Sequence, residues 1–197
     1  MKLKGKMSRL ALDLDEVLVP LLRPMAKWYG VETPRVKHKY LFREVFECSE
    51  EQSKRILHEF YESKDFLYLK PLPGAQRAMR TIKDMGWYDK MYIITGRQDV
   101  VRDVTQMWVN AHFPGIFDDV LLTNSFTEYE VKKSDLCKSL GVSLIIDDSF
   151  ENCKQCVDVG VDAIHFIGYD DRVYPWCKEQ MSDDVKCFQD WTTIQEA

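Results

Sequence analysis

The residues best placed to do chemistry in this 197-residue chain are carboxylates that end apolar runs. Leu10-Ala11-Leu12 leads into Asp13-Leu14-Asp15, and Leu144-Ile145-Ile146 leads into Asp147-Asp148. A third run, Met91–Ile94, leads into Thr95-Gly96-Arg97. If the three runs are strands of one open parallel sheet, their ends meet in the crevice outside its carboxyl edge. Asp13, Asp15, Asp147 and Asp148 would then share that crevice with the Thr95 hydroxyl, the backbone turn at Gly96 and a lysine from Lys132-Lys133.

Such a cluster needs cations or protons. Two unit charges about 4 Å apart cost about 4 kcal/mol at an effective dielectric near 20. An all-oxygen donor set with an incomplete protein shell suits Mg²⁺, which keeps waters and accepts phosphate oxygens. A metal also lets a carboxylate approach a dianionic phosphate. Residues two apart at a strand end leave the chain on similar bearings, so Asp13 can act as nucleophile and Asp15 as acid and base. Taken singly, each feature is bland: a solvated strand end, a turn, a helix lysine. Their agreement carries the reading.

The elements that must position these residues follow from periodicity. Strands are expected at Leu10–Leu14, Met91–Thr95, Val120–Thr123, Ser143–Asp147 and Asp162–Ile167. Their continuous apolar character indicates burial on both faces. Helices are expected at Gly74–Met85, Asp99–Ala111, Lys133–Leu140 and Glu151–Val159, two of them stopped by Gly141 and Gly160. The alternation predicts an α/β fold, a Rossmann-like doubly wound parallel sheet. Between the first two strands lies a long helical insertion. It holds Leu21–Tyr29 and a helix opened by the capping box Ser49-Glu50-Glu51-Gln52. Residues 17–70 are read as a helical cap, with residues 1–16 and 71–197 as the core domain. A final helix is expected near Phe188–Gln195.

These motifs resemble the haloacid-dehalogenase superfamily: Leu10–Leu18, Ile93–Arg97, Lys133 and Leu144–Ser149 stand in that family's order. Within it the chain is most similar to the 5′(3′)-deoxyribonucleotidase-like branch, through Phe66…Leu69–Ala75, Thr105…Trp108…His112-Phe113-Pro114, Lys133–Gly141 and Tyr174-Pro175-Trp176. The resemblance implies a Mg²⁺-dependent phosphatase. Asp13 would form an aspartyl-phosphate, and Asp15 would protonate the leaving oxygen and then activate water. Thr95, Gly96 and Lys133 would hold the phosphoryl group. Asp13, Asp148, Asp147 and the Asp15 carbonyl would hold the metal. Arg97 and Glu16 are candidate substrate contacts, although many family phosphatases have Gly where Glu16 stands. Arg97 could equally pair with a neighbouring acid. The implied substrate is a small phosphate ester, with nucleoside monophosphates first. The alternatives are another phosphorylated metabolite, a phosphoprotein, or a non-catalytic binding protein on this fold.

Composition narrows the field further. A net charge of −5 argues against an extended nucleic-acid surface. No long uncharged apolar stretch suggests a membrane span. Asp13, Asp15 and Glu16 break the N-terminal apolar run, so it does not read as a secretory signal. The six cysteines are expected to be free thiols in a cytoplasmic compartment. Cys153-Lys154-Gln155-Cys156, with Cys177 and Cys187, is a weaker zinc pattern because the second pair is not closely spaced. The aromatics Trp28, Tyr29, Tyr40, Phe42 and Phe46 read mainly as cap core, Arg35–Lys39 as a solvated face, and His112 as a helix end.

Overall fold

In the computed structural model, which describes residues 8–31, 41–178 and 182–194, alternate residues of the first strand point into two different buried clusters. In β1 (Arg9–Leu12), Leu10 and Leu12 join one cluster and Ala11 the other. The same division runs through β2 (Lys90–Thr95), with Ile93 on one side and Tyr92 and Ile94 on the other. A strand buried on both faces reads as a continuous apolar run, and each fully buried leucine contributes about 1.5–3 kcal/mol. With β3 (Asp119–Leu122), β4 (Leu144–Asp147), β5 (Asp162–Phe166) and β8 (Lys186–Phe188), these strands form a six-stranded sheet of order β3-β2-β1-β4-β5-β8. Every pairing in it is parallel. A short antiparallel hairpin, β6 (Gly168–Tyr169) with β7 (Arg172–Val173), follows β5.

The expected α/β sheet is therefore present, with helices on both faces. Helices α5 (Ala75–Asp84) and α6 (Arg102–His112) bury Met79, Trp108 and Val109 against Leu10, Leu12 and Ile93. Helices α7 (Lys133–Ser139) and α8 (Phe150–Asp158) bury Cys137, Cys153 and Cys156 against Ala11, Ile94 and Ile145. Asp99–Val101 forms a 3₁₀ turn ahead of α6.

The insertion holds α1 (Leu22–Tyr29), α2 (Phe42–Val45), α3 (Glu50–Tyr61) and α4 (Lys64–Leu67). Ser49 caps α3 as its sequence indicates, accepting the Gln52 N–H at 3.1 Å. Ile56, Leu57, Phe60 and Tyr61 of α3 lie in the same apolar cluster as Leu10 and Leu12 of the sheet. The Trp108 indole N–H, donating to the Leu69 carbonyl at 2.8 Å, ties the end of the insertion to α6. Trp28 packs on Phe60 and Tyr29 on Phe46, with ring centroids 5.5 and 5.4 Å apart. Met1–Met7, Arg35–Lys39 and Tyr40 lie outside the described residues.

The tail departs from expectation. In place of a helix at Phe188–Gln195, Lys186–Phe188 adds a sixth strand beside β5, and Trp191–Thr193 makes one 3₁₀ turn capped by Asp190. Phe188 packs on Phe166 and Trp191, and the pairing bonds come from β5, so tertiary partners decide the conformation. A Cβ on Gly74 would sit 2.7 Å from the Thr192 nitrogen, so the tail backbone lies directly on the turn before α5. All six cysteines are free; Cys137, Cys153, Cys156 and Cys177 are buried and Cys187 is exposed. No helix among the described residues is long and apolar enough to cross a membrane.

Candidate active site

Because β1 pairs with β2 on one side and β4 on the other, the chain changes direction across the sheet at β1. A crevice at such a reversal is the usual ligand site of an open α/β sheet. Asp13 follows β1 directly and is locked to β4 by its N–H, which donates to the Ile146 carbonyl at 2.9 Å. Asp147 ends β4 and Asp148 follows it. One carboxylate oxygen from each of Asp13, Asp147 and Asp148 lies within 4.8 Å of the others, and all three residues are buried.

Lys133, the first residue of α7, supplies the buried positive charge. Its Nζ is 2.9 Å from Asp13 Oδ1 and 2.7 Å from Asp147 Oδ2. Of the two adjacent lysines, Lys133 thus contacts the cluster. Asp13 Oδ1 also accepts the Leu14 N–H at 2.7 Å. Asp147 Oδ1 accepts the Ser149 N–H at 2.8 Å, and Asn152 Nδ2 lies 3.3 Å from both Asp147 oxygens. Asp148 Oδ2 accepts the Trp176 indole N–H at 2.9 Å.

One lysine does not neutralise this cluster. Burial pushes the Asp13 carboxyl up to about 7, against the opposing pull of Lys133 and with Asp147 and Asp15 adding to the rise. Burial likewise holds Asp148 well above the usual carboxylate range, with Asp13, Asp147 and Glu16 contributing. Burial alone would lower the Lys133 ammonium, but Asp13 and Asp147 more than offset it and raise it. An all-oxygen set that is short of positive charge fits a hard divalent cation.

Asp15 stands apart from the three clustered carboxylates. Both its oxygens accept from Arg97, from Nε at 3.0 Å and from Nη2 at 2.7 Å, a bidentate pair. Arg97 is itself fixed: Nη1 donates to Thr105 Oγ1 at 3.0 Å, and the guanidinium lies 4.9 Å from the Phe66 ring centroid. Thr95 is fully buried, and its Oγ1 lies 3.4 Å from the Arg97 nitrogen. Gly96 faces the loop after β3, where an added Cβ would meet Ser125 Oγ at 3.0 Å. Glu16 sits at φ +62°, and its Oε1 accepts the Leu21 and Leu22 N–H groups at 3.0 and 2.7 Å, capping α1.

Asp13, Asp15, Glu16, Gly96, Arg97, Lys133 and Asp148 all line one cleft of about 650 Å³. Leu57 and Tyr61 from α3 form part of its wall, and Thr123, Ser125 and Phe126 come from the loop after β3. Thr123 was expected as the end of the third strand, whereas Ser125, Phe126 and Trp176 were not read as site residues because none falls in a periodic segment. The cue for Trp176 was its place in Tyr174-Pro175-Trp176.

Fold and site together define a haloacid-dehalogenase-type phosphatase, a hydrolase of phosphate esters. The chain belongs to the family described as 5′ nucleotidase, deoxy (pyrimidine), cytosolic type C protein, which matches residues 6–185. Among solved structures, a haloacid dehalogenase-like family hydrolase from Streptococcus pneumoniae is similar, with TM-score 0.57 and 17% identity over 81% of this chain and 84% of that one. So is a HAD family hydrolase from Deinococcus radiodurans R1 with bound phosphate and sodium, at TM-score 0.60 and 12% identity over 92% and 91%. A predicted phosphoglycolate phosphatase from Haemophilus somnus aligns with TM-score 0.61 and 16% identity over 93% and 95%. At these identities the solved structures speak to the fold alone. No curated protein matches the chain significantly.

Proposed function

We propose that the chain is a Mg²⁺-dependent phosphomonoesterase that acts through an aspartyl-phosphate on Asp13, with (deoxy)nucleoside monophosphates as its substrates. The observation that carries this reading is the buried convergence of Asp13, Asp147 and Asp148 around Lys133 at the carboxyl ends of β1 and β4.

Asp13 and Asp148, the Asp15 carbonyl and Asp147 would hold the cation. Asp147 is the more heavily engaged by protein donors, which favours Asp148 for direct contact. The bound ion would supply charge neutralisation for an anionic nucleophile meeting an anionic substrate. Lys133, Thr95 and the Gly96 N–H would hold the transferring group. An Asp13 carboxylate oxygen attacks phosphorus and the bond to the leaving oxygen breaks. Asp15 gives that oxygen its proton. Water then loses a proton to Asp15 as its oxygen attacks phosphorus, and the Asp13–phosphorus bond breaks. To reach the leaving oxygen, Asp15 must release at least one N–H of Arg97.

Residues 17–70 serve as the cap in this reading and exclude water during the first transfer. The Leu57 and Tyr61 walls of the cleft support that assignment. For the substrate, family membership and the aromatic lining by Phe42, Tyr61 and Phe126 support a nucleoside. The cleft volume also falls in the usual ligand range of about 300–1,000 Å³. The six free thiols support the cytoplasmic setting that the family's description states.

Release of phosphate from a panel of nucleoside monophosphates, sugar phosphates and a phosphopeptide, with Mg²⁺ and with EDTA, tests the proposal. Preference for a nucleotide that EDTA abolishes is the expected result. Preference for a sugar phosphate would overturn the substrate class, and activity surviving EDTA would overturn the metal.

A further inference from the structure

The tail segment that follows β7 reaches the centre of the site. Trp176 is buried, and its indole N–H donates to Asp148 Oδ2 at 2.9 Å. Its ring stacks on Tyr174, with centroids 4.5 Å apart and planes 10° apart. The Tyr174 hydroxyl in turn donates to the Glu16 carbonyl at 2.7 Å, anchoring the stack to the turn after β1. The Asp148 main chain is held from the other side. Its carbonyl accepts from His165 Nε2 at 3.0 Å and from the Cys177 thiol at 3.4 Å. Side chain and backbone of Asp148 are thus both held by protein donors.

We infer that Trp176 is a positioning residue that restricts Asp148 to binding a divalent cation through one oxygen, and so favours Mg²⁺ over Ca²⁺. The inference rests on the metal reading proposed above. A carboxylate chelates an ion with both oxygens only when both face it. The indole N–H on Oδ2 takes one of that oxygen's two lone pairs and holds the carboxylate's orientation, which disfavours two-oxygen chelation and favours Oδ1 for the ion. Mg²⁺ demands near-octahedral geometry at about 2.0–2.1 Å and takes few protein oxygens, whereas Ca²⁺ takes about 6–8 oxygens and accepts two-oxygen carboxylates. Groups that orient a metal-binding side chain change metal affinity by about 10–100-fold when removed. A merely structural tryptophan would not change which ion the site prefers.

The test is calorimetric titration of the intact protein with Mg²⁺ alone and with Ca²⁺ alone, without substrate. Two variants are compared with the unaltered chain: Trp176→Phe, and replacement of Trp176 by β-(3-benzothienyl)alanine, which keeps the bicyclic shape and lacks the N–H. Mg²⁺ binding is expected to weaken about tenfold, with Ca²⁺ binding unchanged or tighter, so the preference shifts toward Ca²⁺. An unchanged ratio of the two affinities, whether both stay the same or both weaken equally, would overturn the inference. If Trp176→Phe does not fold, the isosteric variant decides. Failure of the unaltered protein to bind Mg²⁺ at all would instead overturn the metal reading beneath it, and the inference with it.

Discussion

At the residue scale, the site depends on which carboxylates are free to react and which are held. Asp15 is bound at both oxygens by Arg97, so the acid role proposed for it requires that pair to loosen. Asp15→Asn is expected to lower turnover of an alkyl phosphate by about 10²–10⁴-fold. The first transfer from p-nitrophenyl phosphate should fall less, because its leaving group needs no proton. Single-turnover rates on the two esters measure the difference. Gly96→Ala should displace the Ser125 loop, since the new Cβ meets Ser125 Oγ at 3.0 Å. The expected readout is a raised KM with little loss of thermal stability. The clustered aspartates were legible in the sequence because each ends a short apolar run, a pattern that solvated acids seldom show. Glu16 was less so. Leu21, at the start of α1, has no side chain able to cap it, and Glu16 reaches forward from an unusual φ to do so. Nothing in local spacing announces that loop.

At the element scale, α7 presents Lys133 to two buried acids, and the helix start and the charge cluster stand or fall together. Lys133→Met leaves Asp13 and Asp147 without their shared cation and should destabilise the fold by roughly 3–5 kcal/mol. Urea unfolding measures this, and added Mg²⁺ should recover part of the loss. A separate acid joins β2 to β3. Asp118 accepts from Lys90 Nζ at 2.7 Å and from the Met91 N–H at 2.9 Å. Burial works against its charge, but these donors and Lys83 outweigh it and hold the carboxyl below the usual range. A folded pKa below the unfolded one gives stability that is present above about pH 4 and is lost as pH falls through the folded value. Asp118→Asn should therefore cost about 1 kcal/mol at neutral pH, and the gap from the unaltered protein should close in acid. Elements with their own signals, such as α3 behind Ser49, were readable from sequence. The strand β8 was not, because its bonds come from β5 and its packing from Phe166 and Trp191.

At the scale of the whole molecule, the two-faced sheet was legible from apolar runs, but its strand order was not. Periodicity shows which segments are strands and leaves their neighbours open; the order that puts β1 between β2 and β4 is a tertiary outcome. The same holds for the tail, which closes over the turn after β1 through the Trp191 indole N–H donating to the Val17 carbonyl at 2.6 Å. Trp191→Phe leaves that buried carbonyl without its donor and should cost about 1–3 kcal/mol, read as a lowered Tm. In the proposed mechanism, sheet order, insertion and tail together bring Asp13 to a crevice where a phosphoryl group is transferred to it. That claim is tested most directly by borohydride reduction of the enzyme during turnover, followed by peptide mass spectrometry. The account predicts conversion of Asp13 to homoserine, dependent on substrate. Modification at another carboxylate, or none while substrate is being consumed, would contradict it.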